Sequence, residues 1–408
     1  MRNLHVLLVS PTWPPDKALN GITTYVGQVA RALSALGVRV SILSIEPVPP
    51  ASKAQGVYSV AERPTSHRLR GLFKRFFMRR NHTHDVFAFG DEIARAVGEV
   101  NRLDPIDVIE MEESFGWFAR VQQKTKIPVV VKLHGPAFLS FVGRAKEESF
   151  SKTQIIREGQ SLKEARYLTS PAQATLTDTV NFYSLTPAVA EVVPNPISAD
   201  SNAPLWQSER RKIPTLLFVG RFDERKGGDF AVAAFHALVK RHPRAKLQFV
   251  GPDIGIAAPS GNKLGVEQYV AQLFGSNWRA HIEIYGPLDQ ERVTQMRAKA
   301  DVILICSRWE NQPNTALEAM LQGCPVVAAK AGAIQETISH GVTGLLYEPD
   351  DIESFCSEVE KVLLDSTFAE QLGRAARAEV LLRHAPHVLA RAAVSVYERA
   401  IGNESSER

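Results

Sequence analysis

The chain has 408 residues, a formal net charge of +4 and ordinary shares of apolar and charged residues. This composition is typical of a soluble globular protein with two or three domains, and the small net charge gives no reason to expect a nucleic-acid partner. The three cysteines form no close pair. Buried thiols in a reducing compartment are therefore expected, rather than disulfides or a metal site.

The chain begins with a short apolar run, His5–Val9, that ends in a proline-rich turn. The run lacks the small-residue cleavage site of a signal peptide and is interpreted as the first strand of a parallel sheet. Elsewhere, too, apolar runs stay well below the length of a membrane span. The sequence thus predicts a cytoplasmic protein, placed at the inner face of the membrane if the basic segment described below binds lipid.

Strands and helices alternate along the first half. A helix is predicted from about Ile22 to Leu36, and Val38–Ile45 is the next strand. This unit has no G-x-G-x-x-G motif, so a dinucleotide-binding fingerprint is absent. Gly21, directly before the helix, is either a glycine that lets a ligand approach the backbone or a plain turn residue.

The segment 67–82 is the most unusual part of the chain in charge. Apolar residues recur in it at helical spacing, and Arg and Lys fill most of the remaining positions. Such a helix suits anionic lipid, with each basic side chain contributing about 1 kcal/mol near the surface. Packing of the apolar stripe on the protein's own domain explains the pattern equally well. RNA binding is less favoured, because no RNA-binding module accompanies the segment.

Two later strands carry polar residues at their C-terminal ends. Asp107–Met111 leads into an acidic loop, and Glu110 is kept as a site candidate although such loops are more often solvated surface. Val129–Leu133 is followed by His134, whose imidazole can donate to a hydroxyl or a phosphate at the end of a parallel strand. The proline-containing stretch 194–214 is predicted to be an interdomain linker.

The second half repeats the alternation. Thr215–Val219 leads into Gly220 and a loop that carries Arg221 and Lys226, cations that can neutralise a diphosphate. A simple surface turn is the competing explanation, because two acidic residues lie between them. A last strand is predicted at Val342–Leu346. Three helices finish the chain, and the tail is expected to be disordered.

The stretch 301–328 is interpreted as a buried strand, a polar loop, a short helix and a second buried strand. Pro313 and Asn314 are suited to the start of the helix, where free backbone N–H groups and the positive end of the dipole favour a phosphate. Glu310 lies on the loop and Glu318 about one turn inside the helix. Carboxylates are poor anion ligands, so we interpret both as acceptors for sugar hydroxyls beside a diphosphate.

These elements resemble those of the family 4 glycosyltransferases. G-R-x4-K-G at 220–227 is similar to the family's diphosphate-binding element, and Glu310 with Glu318 is similar to its E-x7-E element. The resemblance implies the GT-B fold, an α/β architecture of two Rossmann-like domains facing a cleft, with a C-terminal helix that crosses back to the first domain.

The resemblance also implies a division of the chain and roles for single residues. Residues 1–197 with the helix 386–408 are expected to form the acceptor domain, and residues 198–385 the nucleotide-sugar donor domain. In this family the first Glu contacts the transferred sugar and the second the ribose, while the loop cations stabilise the leaving diphosphate. The implied catalytic residues are His134, Arg221, Lys226 and Glu310. The implied donor-binding residues are Gly21, Gly220, Asn311, Gln312, Pro313, Asn314, Thr315, Glu318 and Gly332, with Asn20, Glu110, Gly286 and Leu288 as further candidates.

The sequence departs from the family pattern at three places. Asn20 replaces the first of two loop glycines, the residues 311–314 (NQPN) replace a glycine-rich loop, and Ala331 replaces the first glycine of G-G-x-x-E. Gly332 remains to shape the floor under the diphosphate. These departures leave the donor sugar open.

The reaction implied by the resemblance is a retaining, metal-independent transfer from a UDP- or GDP-type sugar, without a further cofactor. The sequence has no D-x-D motif that would chelate a cation, which agrees with this expectation. The expected acceptor is a sugar, glycolipid or polysaccharide of cell-surface assembly. A nucleotide-sugar-binding protein without transfer activity and a nucleotide-sugar epimerase stay open as alternatives.

The membrane hypothesis for 67–82 can be tested by charge reversal. If the segment binds anionic lipid, replacing Arg75, Arg79 and Arg80 with Glu should abolish co-sedimentation with anionic liposomes, because the electrostatic attraction is inverted. Liposomes of neutral lipid serve as the control. Undiminished binding of the variant would end the membrane hypothesis.

Overall fold

The computed structural model describes residues 4–15, 21–60, 83–140, 148–199, 202–207, 213–258 and 262–406. Asn20 and the basic segment 67–82 therefore lie outside the described residues. Within the described ranges, no helix combines the length and the apolar character that crossing a bilayer requires. The chain divides into two compact units, Met1–Pro196 with Pro386–Arg408 and Ile197–Ala385.

The first unit is built on a parallel sheet of seven described strands. The strands are β1 His5–Ser10, β2 Arg39–Ser44, β3 Val57–Ser59, β4 Val108–Glu112, β5 Val129–Lys132, β6 Tyr167–Ser170 and β7 Val189–Val192. Their order across the sheet is β3-β2-β1-β4-β5-β6-β7. Alternate residues of β1 enter two cores on opposite faces, Leu7 and Val9 in one and Val6 and Leu8 in the other. Burial on both faces explains why this strand is a continuous apolar run.

Helices cover this sheet. Those that precede the second unit are α1 Gly21–Ala35, α2 Thr83–Leu103, α3 Trp117–Thr125, α4 Ala137–Ser140, α5 Glu148–Leu162 and α6 Gln173–Tyr183. Short 3₁₀ helices lie at Pro50–Gln55 and Ser114–Gly116. Val26, Val29 and Leu33 form the buried stripe of α1, at the spacing expected of an amphipathic helix.

The second unit has a parallel sheet of six described strands and a small antiparallel hairpin. The strands are β8 Thr215–Val219, β9 Lys246–Val250, β10 Ile256–Ala257, β11 Lys263–Leu264, β12 Ile282–Tyr285, β13 Val302–Ile305, β14 Val326–Ala329 and β15 Leu345–Tyr347. The helices are α7 Gly228–Arg241, α8 Val266–Phe274, α9 Gln290–Lys299, α10 Asn314–Leu321, α11 Ile334–Thr337, α12 Ile352–Leu364 and α13 Ser366–Arg383, with a 3₁₀ helix at Gly275–Ala280. The predicted α/β class with two parallel sheets is confirmed.

The strand order of the second sheet locates its ligand-binding edge. The order is β12-β9-β8-β13-β14-β15, so β8, the first strand of this sheet along the chain, lies beside β13, its fourth, with Val302 in register with Leu216. The chain winds outward in opposite directions from this pair. In such sheets, ligands bind at the C-terminal ends of the strands where the direction changes. The loops after β8 and β13 are therefore neighbours at that edge.

The last helix, α14 Pro386–Ser406, returns to the first unit, as predicted. Val396, Tyr397 and Ala400 are fully buried in the core that also contains α1. The Tyr397 hydroxyl donates to Glu110 Oε2 (2.7 Å), and the Tyr25 hydroxyl donates to Glu110 Oε1 (2.9 Å). One buried carboxylate thus connects β4, α1 and α14.

Two local expectations need correction. The tail is not disordered as far as Ser406, because α14 continues and Glu404 accepts a hydrogen bond from Arg166 (3.0 Å). The last strand begins at Leu345 rather than Val342, since residues 341–344 form a turn closed by the Gly341 N–H to the Gly344 carbonyl (2.9 Å). Within the predicted linker, Trp206 packs against the core of the second unit, and its indole donates to the Ala300 carbonyl (2.7 Å).

Removing the hydroxyl of Tyr397 should destabilise the first unit. In Tyr397→Phe a buried carboxylate oxygen of Glu110 loses its donor, which costs about 1–3 kcal/mol. Denaturant unfolding measures the loss, and Tyr58→Phe, at a half-buried tyrosine of β3, is the matched control. An unfolding midpoint for Tyr397→Phe equal to that of the control would contradict the structural role of Glu110.

Candidate functional site

The loop after β8 is organised by Asp223. Its Oδ2 lies 2.8 Å from Arg221 Nη2, and its Oδ1 accepts from the Lys226 backbone N–H (2.7 Å). Asp223 is itself buried. Asp223, which in the sequence favoured a surface turn, is therefore a buried residue that connects the side chain of Arg221 with the backbone of Lys226.

Gly227 brings this loop against the end of β13. Its φ is +67°, and a Cβ at this position would lie 1.9 Å from the carbonyl oxygen of Cys306. Only glycine fits at this position. A side chain is disfavoured at positive φ, and its Cβ would clash with backbone atoms of Cys306 that cannot move aside. The close approach lets Lys226 reach the residues that follow β13.

Lys226 and Glu310 form an ion pair at this edge of the sheet. Lys226 Nζ donates to Glu310 Oε1, and the Ser307 hydroxyl donates to the same oxygen (2.6 Å). Glu310 is only 7% exposed, and burial alone would raise its pKa. The positive charges of Lys226 and Arg225 outweigh burial and lower the pKa, so the carboxylate is ionised.

Gly332 supports the backbone of Glu310. Its φ is +53°, and a Cβ would lie 2.6 Å from the Glu310 carbonyl oxygen. The next residue, Ala333, donates its N–H to that carbonyl (3.0 Å). The loop after β14 therefore holds the loop after β13 in place.

A pocket joins these groups to the start of α10. Its lining includes Lys226, Ser307, Glu310, Pro313 and Thr315, and the space between them, about 270 Å³, includes volume that is open to solvent. The helix begins at the predicted pair, with Pro313 at the cap position and Asn314 as the first helical residue, and the cap residue makes no side-chain hydrogen bond there. The first turn of any helix has backbone N–H groups without intrahelical partners. The pocket thus combines a cation, a carboxylate and a helix start.

The remaining residues of the loop and helix lie around this pocket. Asn311 is buried, Gln312 and Thr315 are half-buried and Asn314 is exposed. Glu318 lies one turn further along α10, with its Oε2 bound by the buried Arg297. Sequence reasoning missed Arg297. Its position four residues after Val293 and three before Ala300, both buried, would have placed it on the inner face of α9.

Arg308 is a second residue that sequence reasoning missed. It donates to Asp229 (2.9 Å) and to Asp350 (3.0 Å), and also to the carbonyl of Glu224 (2.5 Å). Burial disfavours its charge, but the two carboxylates outweigh burial and raise its pKa. Arg308 thereby fixes the loop after β13 to the loop after β8.

The other candidates of the second unit lie at its sheet edge or core. Gly220 follows β8, where a Cβ would lie 3.0 Å from the Phe218 ring. Gly286 is exposed, and a Cβ there would meet no described atom within 4 Å. Leu288 is half-buried and packs against the core of the unit.

In the first unit, His134 lies on a loop held by carboxylates. Glu113 accepts from the backbone N–H groups of His134 (2.9 Å) and Gly135 (2.7 Å), and Glu158 accepts from Ala137 (2.9 Å). The His134 ring packs edge-on against Tyr25. Burial and the charge of Lys132 lower the pKa of His134 to about 3, so its imidazole is neutral.

Gly21 and Glu110 are placed differently. Gly21 is the exposed first residue of α1, and a Cβ there would meet no described atom within 4 Å. Glu110 is 5% exposed, and each carboxylate oxygen accepts a tyrosine hydroxyl. This arrangement favours a structural role for Glu110. No group of three or more metal-ligating side chains occurs within the described ranges.

Glu112, at the end of β4, is a buried acid beside the His134 loop. Burial and then the charge of Glu113 raise its pKa to about 8, with Glu158 adding to the effect and a hydrogen bond with Ser114 opposing it. The acid is therefore mostly protonated at neutral pH.

Comparison with known proteins gives consistent matches along the chain. Residues 19–201 match the model of Glycosyltransferase Family 4, and residues 206–379 match that of Glycosyl transferases group 1. D-inositol 3-phosphate glycosyltransferase of Actinosynnema mirum is 27% identical, over 91% of this chain and 91% of its own. Among solved structures, sucrose-phosphate synthase from Thermosynechococcus elongatus has a TM-score of 0.76 at 19% identity, covering 98% of this chain and 100% of its own. Anabaena HepE in complex with UDP and glucose has a TM-score of 0.69 at 17% identity, covering 97% of this chain and 100% of its own.

The ionisation of Glu112 should lower the stability of the first unit as pH rises. A folded-state pKa of about 8, above the ordinary value of 4.5, means that the folded protein binds more protons than the unfolded chain between these limits. Glu112→Gln cannot ionise, so its melting temperature should drop less than that of the wild type between about pH 5 and about pH 8. Glu99→Gln, at an exposed carboxylate of α2, is the control. Parallel pH curves for Glu112→Gln and the wild type would refute this assignment.

Proposed function

Since this chain belongs to the family 4 glycosyltransferases and has their GT-B fold, we propose that it transfers a sugar from a nucleotide-diphosphate sugar to an acceptor hydroxyl with retention of configuration. The observation that carries the proposal is that Lys226, Ser307, Glu310 and the start of α10 line one pocket. Together these groups provide positive charge for a diphosphate and an ionised acceptor for sugar hydroxyls.

In the proposed mechanism the diphosphate takes the place of Glu310 as the partner of Lys226. Lys226, Arg221 and the first turn of α10 stabilise the negative charge that grows on the leaving group. Glu310 then accepts hydrogen bonds from the transferred sugar. Its ionised state supports this step, because a carboxylate accepts more strongly than a neutral acid.

The acceptor hydroxyl attacks the anomeric carbon on the face from which the diphosphate leaves. A bond forms between the acceptor oxygen and the anomeric carbon while the bond to the phosphate oxygen breaks, and the leaving phosphate takes the acceptor proton. The contact of His134 with the donor sugar stays a prediction from the resemblance. A neutral imidazole agrees with a hydrogen-bonding role rather than a role as a general acid.

The donor is proposed to be of the UDP type, because similar folds include HepE in complex with UDP and glucose. The proposed acceptor is a sugar, glycolipid or polysaccharide of cell-surface assembly. Metal independence is supported by the lack of a D-x-D motif. A peripheral membrane location rests on the sequence of 67–82 alone.

A donor screen followed by turnover measurements tests the proposal. UDP- and GDP-sugars are screened by thermal shift, and release of nucleoside diphosphate is then measured with and without a chelator, which should have no effect. Lys226→Ala and Glu310→Ala should each lower turnover about 10²–10³-fold, because charge stabilisation of the leaving group or sugar contact is lost. Lys240→Ala, at an exposed lysine of α7, is the matched control.

The same experiment separates the alternatives. Binding of a nucleotide sugar without turnover would favour a binding protein, and release of UDP from UDP-GlcNAc without a sugar-bearing product would favour an epimerase. Full activity of Glu310→Ala, with melting behaviour like that of the wild type, would show that the catalytic site lies elsewhere.

A further inference from the structure

Arg297 is a buried cation at the inner side of the predicted ribose-binding helix. It lies on α9, is 2% exposed and faces α10. Its Nη2 donates to Glu318 Oε2 (2.5 Å) and its Nη1 donates to Gln322 Oε1 (2.9 Å). A buried charge is costly unless it is paired, and here the guanidinium joins two acceptors one turn apart on the same helix.

The geometry points to Arg297 as a positioning residue, and we propose that it orients the carboxylate of Glu318 toward the ribose hydroxyls of the nucleotide. This inference rests on the proposed function. Arg297 approaches Glu318 from the buried side, whereas the Glu318 side chain is 34% exposed. A carboxylate has lone pairs for several hydrogen bonds, so an Arg-bound carboxylate can still accept from a vicinal diol.

Gln322 makes the orientation of the guanidinium rigid. Its side-chain amide donates to the carbonyls of Pro204 and Thr294 (both 3.0 Å), and the side chain is buried. The amide group whose oxygen receives Arg297 is therefore fixed by the two hydrogen bonds of its own nitrogen. A planar guanidinium with one arm on this fixed oxygen has its other arm directed at Glu318. Lysine has the charge but not the fork, so it cannot reproduce both contacts.

A purely structural role for Arg297 is the competing explanation, because the same contacts hold α9 to α10. The two roles differ in what they change. Loss of a structural link lowers the melting temperature and weakens all nucleotides alike. Loss of carboxylate orientation lowers the preference for a nucleotide that carries ribose hydroxyls over one that lacks them.

The test compares UDP with 2′,3′-dideoxy-UDP by titration calorimetry, or the guanine pair if the donor screen selects GDP. The wild type should bind UDP at least about tenfold more tightly, since hydrogen bonds to a charged group are among the strong ones. In Arg297→Met this ratio should fall to about threefold or less, while binding of the dideoxy nucleotide stays the same. Arg292→Met, at an exposed arginine of the same helix, should keep the ratio of the wild type.

The ratio is measured on folded protein only, and Arg297→Lys serves if the Met variant does not fold. The Lys variant retains the buried charge and should show a ratio between those of the wild type and the Met variant. An unchanged ratio in the folded variant, or equal weakening of both nucleotides, would overturn the positioning role. Equal binding of both nucleotides by the wild type would remove the ribose assignment of Glu318 and this inference with it, leaving transfer intact. Failure of the wild type to bind either UDP or GDP would overturn the proposed function itself.

Discussion

The site of the second unit depends on one close approach between two backbones. Gly227 lies so near the Cys306 carbonyl that no side chain fits between the loop after β8 and the end of β13. This contact brings together Lys226 and Glu310, which lie 84 positions apart in the chain. Arg308 reinforces the same junction. The parallel pairing of β8 with β13 brings their loops to the same edge of the sheet. Gly227 then allows the two backbones to come into direct contact.

In the first unit, the loop that begins at His134 is held in place by buried acids rather than by a glycine contact. Glu113 and Glu158 accept hydrogen bonds from three backbone N–H groups of the loop that begins at His134, those of His134, Gly135 and Ala137. Desolvation raises the pKa of both acids, and the backbone hydrogen bonds oppose the rise. The geometry of the His134 loop is thereby coupled to the protonation of Glu113 and Glu158. The loop at Gly227 differs, because its position is set by steric exclusion, which does not depend on charge.

The sequence predicted most of the fold because its central strands are buried on both faces. Thr215–Val219 has the predicted bounds, since an apolar run between polar turns leaves little ambiguity. Motif spacing brought Lys226 and Glu310 to attention but not their direct contact. Arg297 was missed because an arginine in a helix is ordinarily a surface residue, and only its helical register shows that it is buried.

The position of α14 has a consequence for synthesis of the protein on the ribosome. Glu110 is made early, but its partner Tyr397 lies 287 positions later, beyond the whole of the second unit. The second unit is continuous in sequence, so it can complete its core while the first unit still lacks a helix. Until translation ends, the nascent first unit exposes the apolar face that α14 will cover. During that interval the exposed apolar face would be a binding surface for a chaperone.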